Sequence, residues 1–143
     1  MMVTASIVLY KNDKKILLES IHSLLNSDIK EDCYLYLVDN SPTDELKNLI
    51  SHPKVEYIFN PSNPGFGAAH NIAIKKAIEG GSKYHLVLNP DVYFENTTID
   101  LLLKFMNDHP NVGNVMPKVL YPDGQVQYLC KFLPTPYDWI GRR

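Results

Sequence analysis

Hydrophobic residues in this chain switch between two spacings, short apolar runs and stripes that recur every three or four positions, and the switching predicts its elements. Val3 to Tyr10 (VTASIVLY) is a short β-prone run, after which Ile16, Leu17, Leu18, Ile21, Leu24 and Leu25 recur at helical spacing. Tyr34 to Val38 (YLYLV) predicts a second strand ending in Asp39-Asn40. Ser41-Pro42-Thr43-Asp44 then reads as a helix start, with Ser as N-cap and Pro at the first helical position, and predicts a second, shorter helix. Val55 to Phe59 predicts a third strand, Gly67 to Glu79 a helix ending at Gly80-Gly81, and Tyr84 to Leu88 a fourth strand stopped by Asn89-Pro90. Thr97 or Thr98 caps a further helix whose Ile99, Leu102, Leu103 and Met106 share one face and which His109-Pro110 closes. Val112 to Leu120 returns as a strand, and Pro122-Asp123-Gly124 is a turn leading into Gln125 to Leu129.

Strands alternating with helices, most of the strands apolar on both faces, imply a largely parallel sheet covered on both sides, because parallel neighbours need crossovers and the crossovers here are helices. The expected class is α/β, three layers with a mostly parallel central sheet. In such sheets ligands bind beyond the carboxyl ends of the strands, where helix N-termini present free N–H groups. Polar residues collect there: Lys11-Asn12-Asp13 after the first strand, Asp39-Asn40 after the second, Asn60 to Asn63 after the third, Asn89 and Asp91 after the fourth. Asn, Asp, Pro and Gly also build ordinary strand-to-helix turns, and Asp13 suits an N-cap.

Three positions carry more specific expectations. Asp39 ends a buried strand and is followed by a separate capping residue, which frees its carboxylate to accept hydrogen bonds from a base or ribose. Asn71 shares a helix face with Gly67, Ala68, Ile74 and Ile78, so its amide is expected to be buried and satisfied, either against a ligand or by tying down a loop. His70 lies off that stripe and is expected to be solvated or partly packed. Asn63-Pro64-Gly65-Phe66-Gly67-Ala68-Ala69 resembles a dinucleotide fingerprint but lacks the third glycine, His70 standing in its place, and it follows the third strand rather than the first. Its glycines instead allow backbone to approach a ligand closely at a helix start. Asn89-Pro90-Asp91 places a carboxylate just past an apolar strand, where a hard cation such as magnesium or manganese would sit between protein and substrate phosphates.

Composition narrows the function classes. The chain has 143 residues and a formal net charge of -2, enough for one domain with a sizeable core and without the basic field a general nucleic-acid binder needs. Met1 to Tyr10 is too short to span a bilayer and has no basic region before it. Its two cysteines, Cys33 and Cys130, have no CxxC spacing and fit inert thiols in a reducing cytoplasm.

Taken in order, SIVLY, VDNSPTD, NPSNPGFGAAHN and LNPDV resemble the successive motifs of the inverting family 2 glycosyltransferases. YPDGQVQ and LPTPYDWIGRR are similar to the branch containing bacterial rhamnosyltransferases of cell-surface polysaccharide assembly. The resemblance implies a glycosyltransferase-A fold, a nucleotide-diphosphate sugar donor, a saccharide or lipid-linked acceptor, and a divalent metal, Mn or Mg. It implies a nucleotide-sugar site at Tyr10, Asp39, Asn40, Asn63, Gly65, Gly67, Asn71 and Asn89, with Asp91 on the metal. The family's Asp-x-Asp appears here as Asn89-Pro90-Asp91, an amide replacing the first carboxylate. Nothing after Asp91 matches the family's general base: Asp123 sits in a turn, and Asp138 lies within a different motif. The expectation is thus a donor-binding portion, truncated or split, that lacks its catalytic base. A noncatalytic interaction or regulatory domain of the same fold is the alternative. A nucleotidyltransferase would carry a basic glycine-rich loop after the first strand, and Tyr10-Lys11-Asn12-Asp13 has no glycine. The expected location is cytoplasmic, at the inner face of the plasma membrane, with Phe132, Tyr137, Trp139, Lys131, Arg142 and Arg143 either touching the interface or packing on another part of the protein.

Overall fold

Strand β1 (Met2–Leu9) is buried from Val3 to Leu9 on both faces, and the rest of the architecture follows from covering it. A computed structural model of the chain describes residues 2–30 and 32–128. Helix α1 (Lys14–Leu25), strands β2 (Asp32–Asp39) and β3 (Val55–Phe59), helix α2 (Phe66–Glu79), strand β4 (Tyr84–Leu88) and helix α3 (Thr98–Asp108) follow in order. The strands form one sheet in the order β3-β2-β1-β4, every neighbouring pair parallel. This is the expected α/β class.

Alternate residues of β1 and β2 face opposite layers. Val3, Ala5, Ile7, Leu9, Leu35 and Leu37 join Leu17, Ile21 and Leu24 of α1 and Ile99 and Leu103 of α3 in the larger core. Val8, Tyr36 and Val38 pack with Ala69 and Ala73 of α2 on the other face. Asp13 caps α1, its carboxylate accepting from the N–H groups of Lys15 and Ile16.

The structure corrects three expectations. Residues 41–49 turn without forming a helix: the Ser41 hydroxyl accepts from the Lys11 N–H at 2.9 Å instead of capping, and the Asp44 and Leu46 carbonyls take three-residue turn bonds from Lys47 and Leu49. On α2 the buried side is Ala69, His70, Ala73 and Ala77, while Asn71 is exposed and Ile78 is 70% exposed. Small alanines let the helix approach the sheet, and His70 can be buried because its Nδ1 lies 2.7 Å from the Ser6 hydroxyl. The large aliphatic residues that suggested the other face lie beside the stripe that packs. Lastly, 112–119 forms no strand among the described residues.

The chain divides into two compact units, Met1–Pro110 and Asn111–Arg143. In the second, a bridge pairs Leu120 with Val126, and the Tyr121 N–H donates to Gln125 O at 2.8 Å. Gly124 turns the chain with φ 83°, as the Pro122-Asp123-Gly124 motif predicts. The readings placed on Cys130, Lys131, Phe132, Tyr137, Asp138, Trp139, Arg142 and Arg143 lie outside the described residues.

Candidate functional site

Register brings the predicted polar clusters to one edge. Leu9, Asp39 and Phe59 share a row across β1, β2 and β3, so the residues following each strand emerge side by side. Backbone bonds continue the row past the strands, from Asn40 N–H to Leu9 O at 2.9 Å and from Asn60 N–H to Asp39 O at 2.7 Å. Side chains add to it: Asn60 Nδ2 donates to Asn40 Oδ1 at 2.9 Å, and Ser62 donates to Asn60 Oδ1 at 2.8 Å.

Two non-glycine residues at this edge hold left-handed backbone, Lys11 with φ 50° and Asn63 with φ 42°. Asn tolerates that conformation, whereas Lys adopts it rarely and needs fixing by its surroundings. The Ser41 hydroxyl fixes it by accepting the Lys11 N–H. Tyr10, just before, is 51% exposed, with the Lys11 ammonium 5.6 Å from its ring centre.

Gly65 precedes α2 with φ 97° and ψ 168°, a conformation open essentially to glycine alone. No side chain caps α2, so the N–H groups of its first turn are offered outward, an arrangement suited to phosphate oxygens. Phe66 beside it is 52% exposed and meets the His70 ring edge-on at 4.4 Å between centroids.

On the other side of β1, Leu88 of β4 pairs with Ile7, and Asn89 and Asp91 follow exposed. The Asn89 carbonyl accepts from the Ser20 hydroxyl at 3.3 Å, which ties this turn to α1. Among the described residues no three His, Cys, Asp or Glu side chains gather into a metal cage. The exposed Asp91 carboxylate alone could offer one oxygen ligand to a hard cation, which would need its other ligands from bound phosphates or water.

Of the nine predicted residues, Tyr10, Asn63, Gly65, Gly67, Asn71, Asn89 and Asp91 are exposed at or near this edge, whereas Asp39 and Asn40 are buried. Asp39 has no exposed surface, and both its oxygens are engaged: Oδ1 accepts from Ser41 N–H at 2.8 Å and Oδ2 from the Tyr57 hydroxyl at 2.6 Å. Tyr57 was not legible as a site residue from sequence. Its reach to Asp39 depends on the register that pairs Leu37 with Tyr57 and so makes Asp39 its diagonal neighbour.

A cavity of about 180 Å³ opens away from this edge, at the amino ends of the strands, between Leu24, Leu25, Ile29, Cys33 and Leu35. Burial pushes the Cys33 thiol up to about 11, against a smaller lowering by Lys54, so it stays protonated, as expected of an inert thiol.

Residues 6–131 match the family described as Glycosyl transferase family 2. An uncharacterized glycosyltransferase of Methanocaldococcus jannaschii is 24% identical over 96% of this chain and 48% of its own length. A low-salt glycan biosynthesis hexosyltransferase of Haloferax volcanii is 29% identical over 82% of this chain and 36% of its own length. The chain therefore spans about half or less of these relatives. Among solved structures, residues 1–349 of S. aureus TarS share the fold with a TM-score of 0.61 at 19% identity, covering 85% of this chain and 40% of that one. TarS 1–349 in complex with UDP-GlcNAc also gives a TM-score of 0.61, at 19% identity over 85% of this chain and 38% of that one. The α/β sheet with its flanking helices has the glycosyltransferase-A arrangement, and the chain belongs to glycosyl transferase family 2.

Proposed function

We propose that the carboxyl edge of this sheet binds a nucleotide-diphosphate sugar, and that the chain is the donor-binding portion of a glycosyltransferase. The observation that carries the reading is the convergence at one edge of three stitched strand ends, the uncapped start of α2 and the Asp91 carboxylate. The nucleoside lies over the ends of β1 to β3, with Tyr10 as its exposed aromatic neighbour and Asp39 and Asn40 beneath. The diphosphate faces the Gly65-Phe66-Gly67 backbone, and Asn63, Asn71 and Asn89 offer amides around it. Asp91 would hold a magnesium or manganese ion, which would supply positive charge to the diphosphate. Complex formation of the similarly folded TarS with UDP-GlcNAc supports a donor of this class.

The finer reading follows the motifs. Transfer is inverting, from a hexose or rhamnose donor to a saccharide or lipid-linked acceptor in cell-surface polysaccharide synthesis, at the cytoplasmic face of the plasma membrane. The general base belongs to the acceptor-binding part of such an enzyme. No helix among the described residues is long and apolar enough to cross a membrane, and the proposed membrane contact is peripheral.

The test is thermal stability with uridine, thymidine and guanosine diphosphates, each with manganese, with magnesium and without metal. A ligand at roughly ten times its dissociation constant adds about 1.4 kcal/mol, which raises Tm by roughly 3 to 5 °C. If no diphosphate moves Tm under any condition, the reading fails.

A further inference from the structure

Asp39 ends β2 where a free carboxylate would meet a base or ribose, yet its surface is closed and its oxygens serve the chain itself. Tyr57 keeps its phenolic proton, because burial first, and then the hydrogen bond to Asp39 and the negative charges of Asp39 and Asp44, push its pKa upward. A protonated phenol 2.6 Å from a carboxylate oxygen is a short, charge-assisted donor. On Oδ1, Asp39 accepts from its own loop two residues on, closing an Asx turn at Ser41. Ser41 passes the constraint to β1, since its hydroxyl holds the Lys11 N–H and with it the left-handed turn after Tyr10. One carboxylate thus links the end of β3, its own loop after β2 and the turn after β1. A ligand that displaced either donor would leave a buried N–H or hydroxyl unpaired, which native structures avoid.

We infer that Asp39 and Tyr57 are a positioning pair: the carboxylate is committed to Tyr57 and Ser41, orients the Tyr10-Lys11 turn that faces the nucleoside, and does not itself touch the nucleotide. This rests on the nucleotide-binding reading above. Tyr57→Phe removes one donor. Asp39→Asn sets an amide NH2 where one carboxylate oxygen stood, so the Tyr57 hydroxyl can only turn and accept, and the charge-assisted bond is replaced by a weaker neutral one.

Isothermal titration of wild type, Tyr57→Phe, Asp39→Asn and the double variant, with uridine diphosphate or whichever diphosphate the thermal panel selects, tests the pair. Inorganic pyrophosphate serves as a second ligand, and both are titrated with magnesium. Each single variant is expected to lose roughly tenfold in affinity for the nucleoside diphosphate, the scale of one hydrogen bond to a charged group. The double variant should be no weaker than the weaker single one, and pyrophosphate affinity should stay unchanged. Loss on Asp39→Asn with Tyr57→Phe unchanged or tighter would show that the carboxylate touches the nucleotide, and overturns the inference. Parallel losses for pyrophosphate would reduce the pair to general scaffolding and overturn it too. If wild type binds neither ligand, the underlying reading falls, and the inference with it.

Discussion

Ser6 Oγ lies 2.7 Å from His70 Nδ1 and 2.8 Å from His85 Nε2, so one buried hydroxyl joins two imidazoles across β1. The chain of bonds runs further. Ser82 donates to Tyr84 O at 2.8 Å, Thr4 donates to Ser82 at 3.1 Å, and Thr4 Oγ1 lies 2.8 Å from His85 Nδ1. His70 Nδ1 and His85 Nε2 thus share Ser6 Oγ, whose single proton serves one ring while the other ring donates to it. His70 Nε2 is buried with no partner among the described residues.

Burial of these two linked rings predicts acid sensitivity. Burial lowers the pKa of His70; burial and then the neighbouring His70 lower His85 to about 4. Both folded values lie below the unfolded one near 6.5, so the unfolded chain takes up protons first. The stabilisation is complete above roughly pH 6.5 and is lost as pH falls toward 4. Tm should fall steadily from pH 7 to pH 5. Ser6→Ala strips a partner from both rings and should cost about 1 to 3 kcal/mol at pH 7, seen as a lower denaturant midpoint. A flat Tm across that range would contradict the lowering of both pKa values by burial.

Asp91 and Asp39 should fail differently. Asp91→Ala should abolish the metal-dependent part of diphosphate binding and leave the metal-free part intact. Asp39→Ala should weaken nucleosides and nucleoside diphosphates alike, by roughly tenfold, and retain metal dependence. Titrations with and without manganese distinguish the two patterns, and equal loss of metal dependence in both variants would show the roles to be misassigned.

Gly65 supplies a backbone that no side-chain-bearing residue adopts comfortably. Open space surrounds an added Cβ, so the penalty of Gly65→Ala is conformational rather than steric. It should cost on the order of 1 to 3 kcal/mol or redirect the start of α2. Diphosphate affinity should drop with it, whereas Gly67→Ala, also in open space and without a positive φ, should leave Tm within about 1 °C. A Gly65→Ala variant with wild-type Tm and affinity would separate this conformation from the site.

The parallel sheet was legible because short β-prone runs alternate with helical stripes and each strand ends in a polar cluster that register then aligns. The edge holding Tyr10, Asn63, Gly65 and Asp91 was legible for the same reason. Helix α2 was misjudged because its packing follows Ala69, Ala73 and Ala77, whose small side chains give a weaker periodic signal than Ile74 and Ile78. His70 was misplaced with it, since burial of a ring is tolerable only once Ser6 is known to face it. The helix expected at Ser41 failed because that hydroxyl is claimed by Lys11, thirty positions earlier in sequence. Tyr57 and Asp39 show the same limit: a pair eighteen positions apart meets only through strand register.

Sugar transfer by residues 1–143 alone should be negligible even where donor binds. Positioned proton transfer contributes about a hundredfold to ten-thousandfold, and among the described residues no carboxylate after Asp91 stands in a base-like context. Asp123 is engaged in its own turn, its Oδ1 accepting the Gln125 N–H at 2.9 Å. Product formation from a bound nucleotide sugar, with saccharide and lipid-linked acceptors supplied, checks this. Robust multiple turnover that Asp123→Asn abolishes would place a base within these residues.

Amide chemical-shift mapping locates a nucleoside diphosphate bound at the carboxyl edge of the sheet. Titrating the isotope-labelled chain with the diphosphate that stabilises it, in magnesium, should perturb Lys11, Ser41, Asn63, Gly65 to Ala69, Asn89 and Asp91. Leu24, Cys33 and Lys54, around the cavity at the opposite end of the strands, should stay unmoved. Shifts confined to that cavity, or none at a ligand concentration that saturates the thermal effect, would contradict the account.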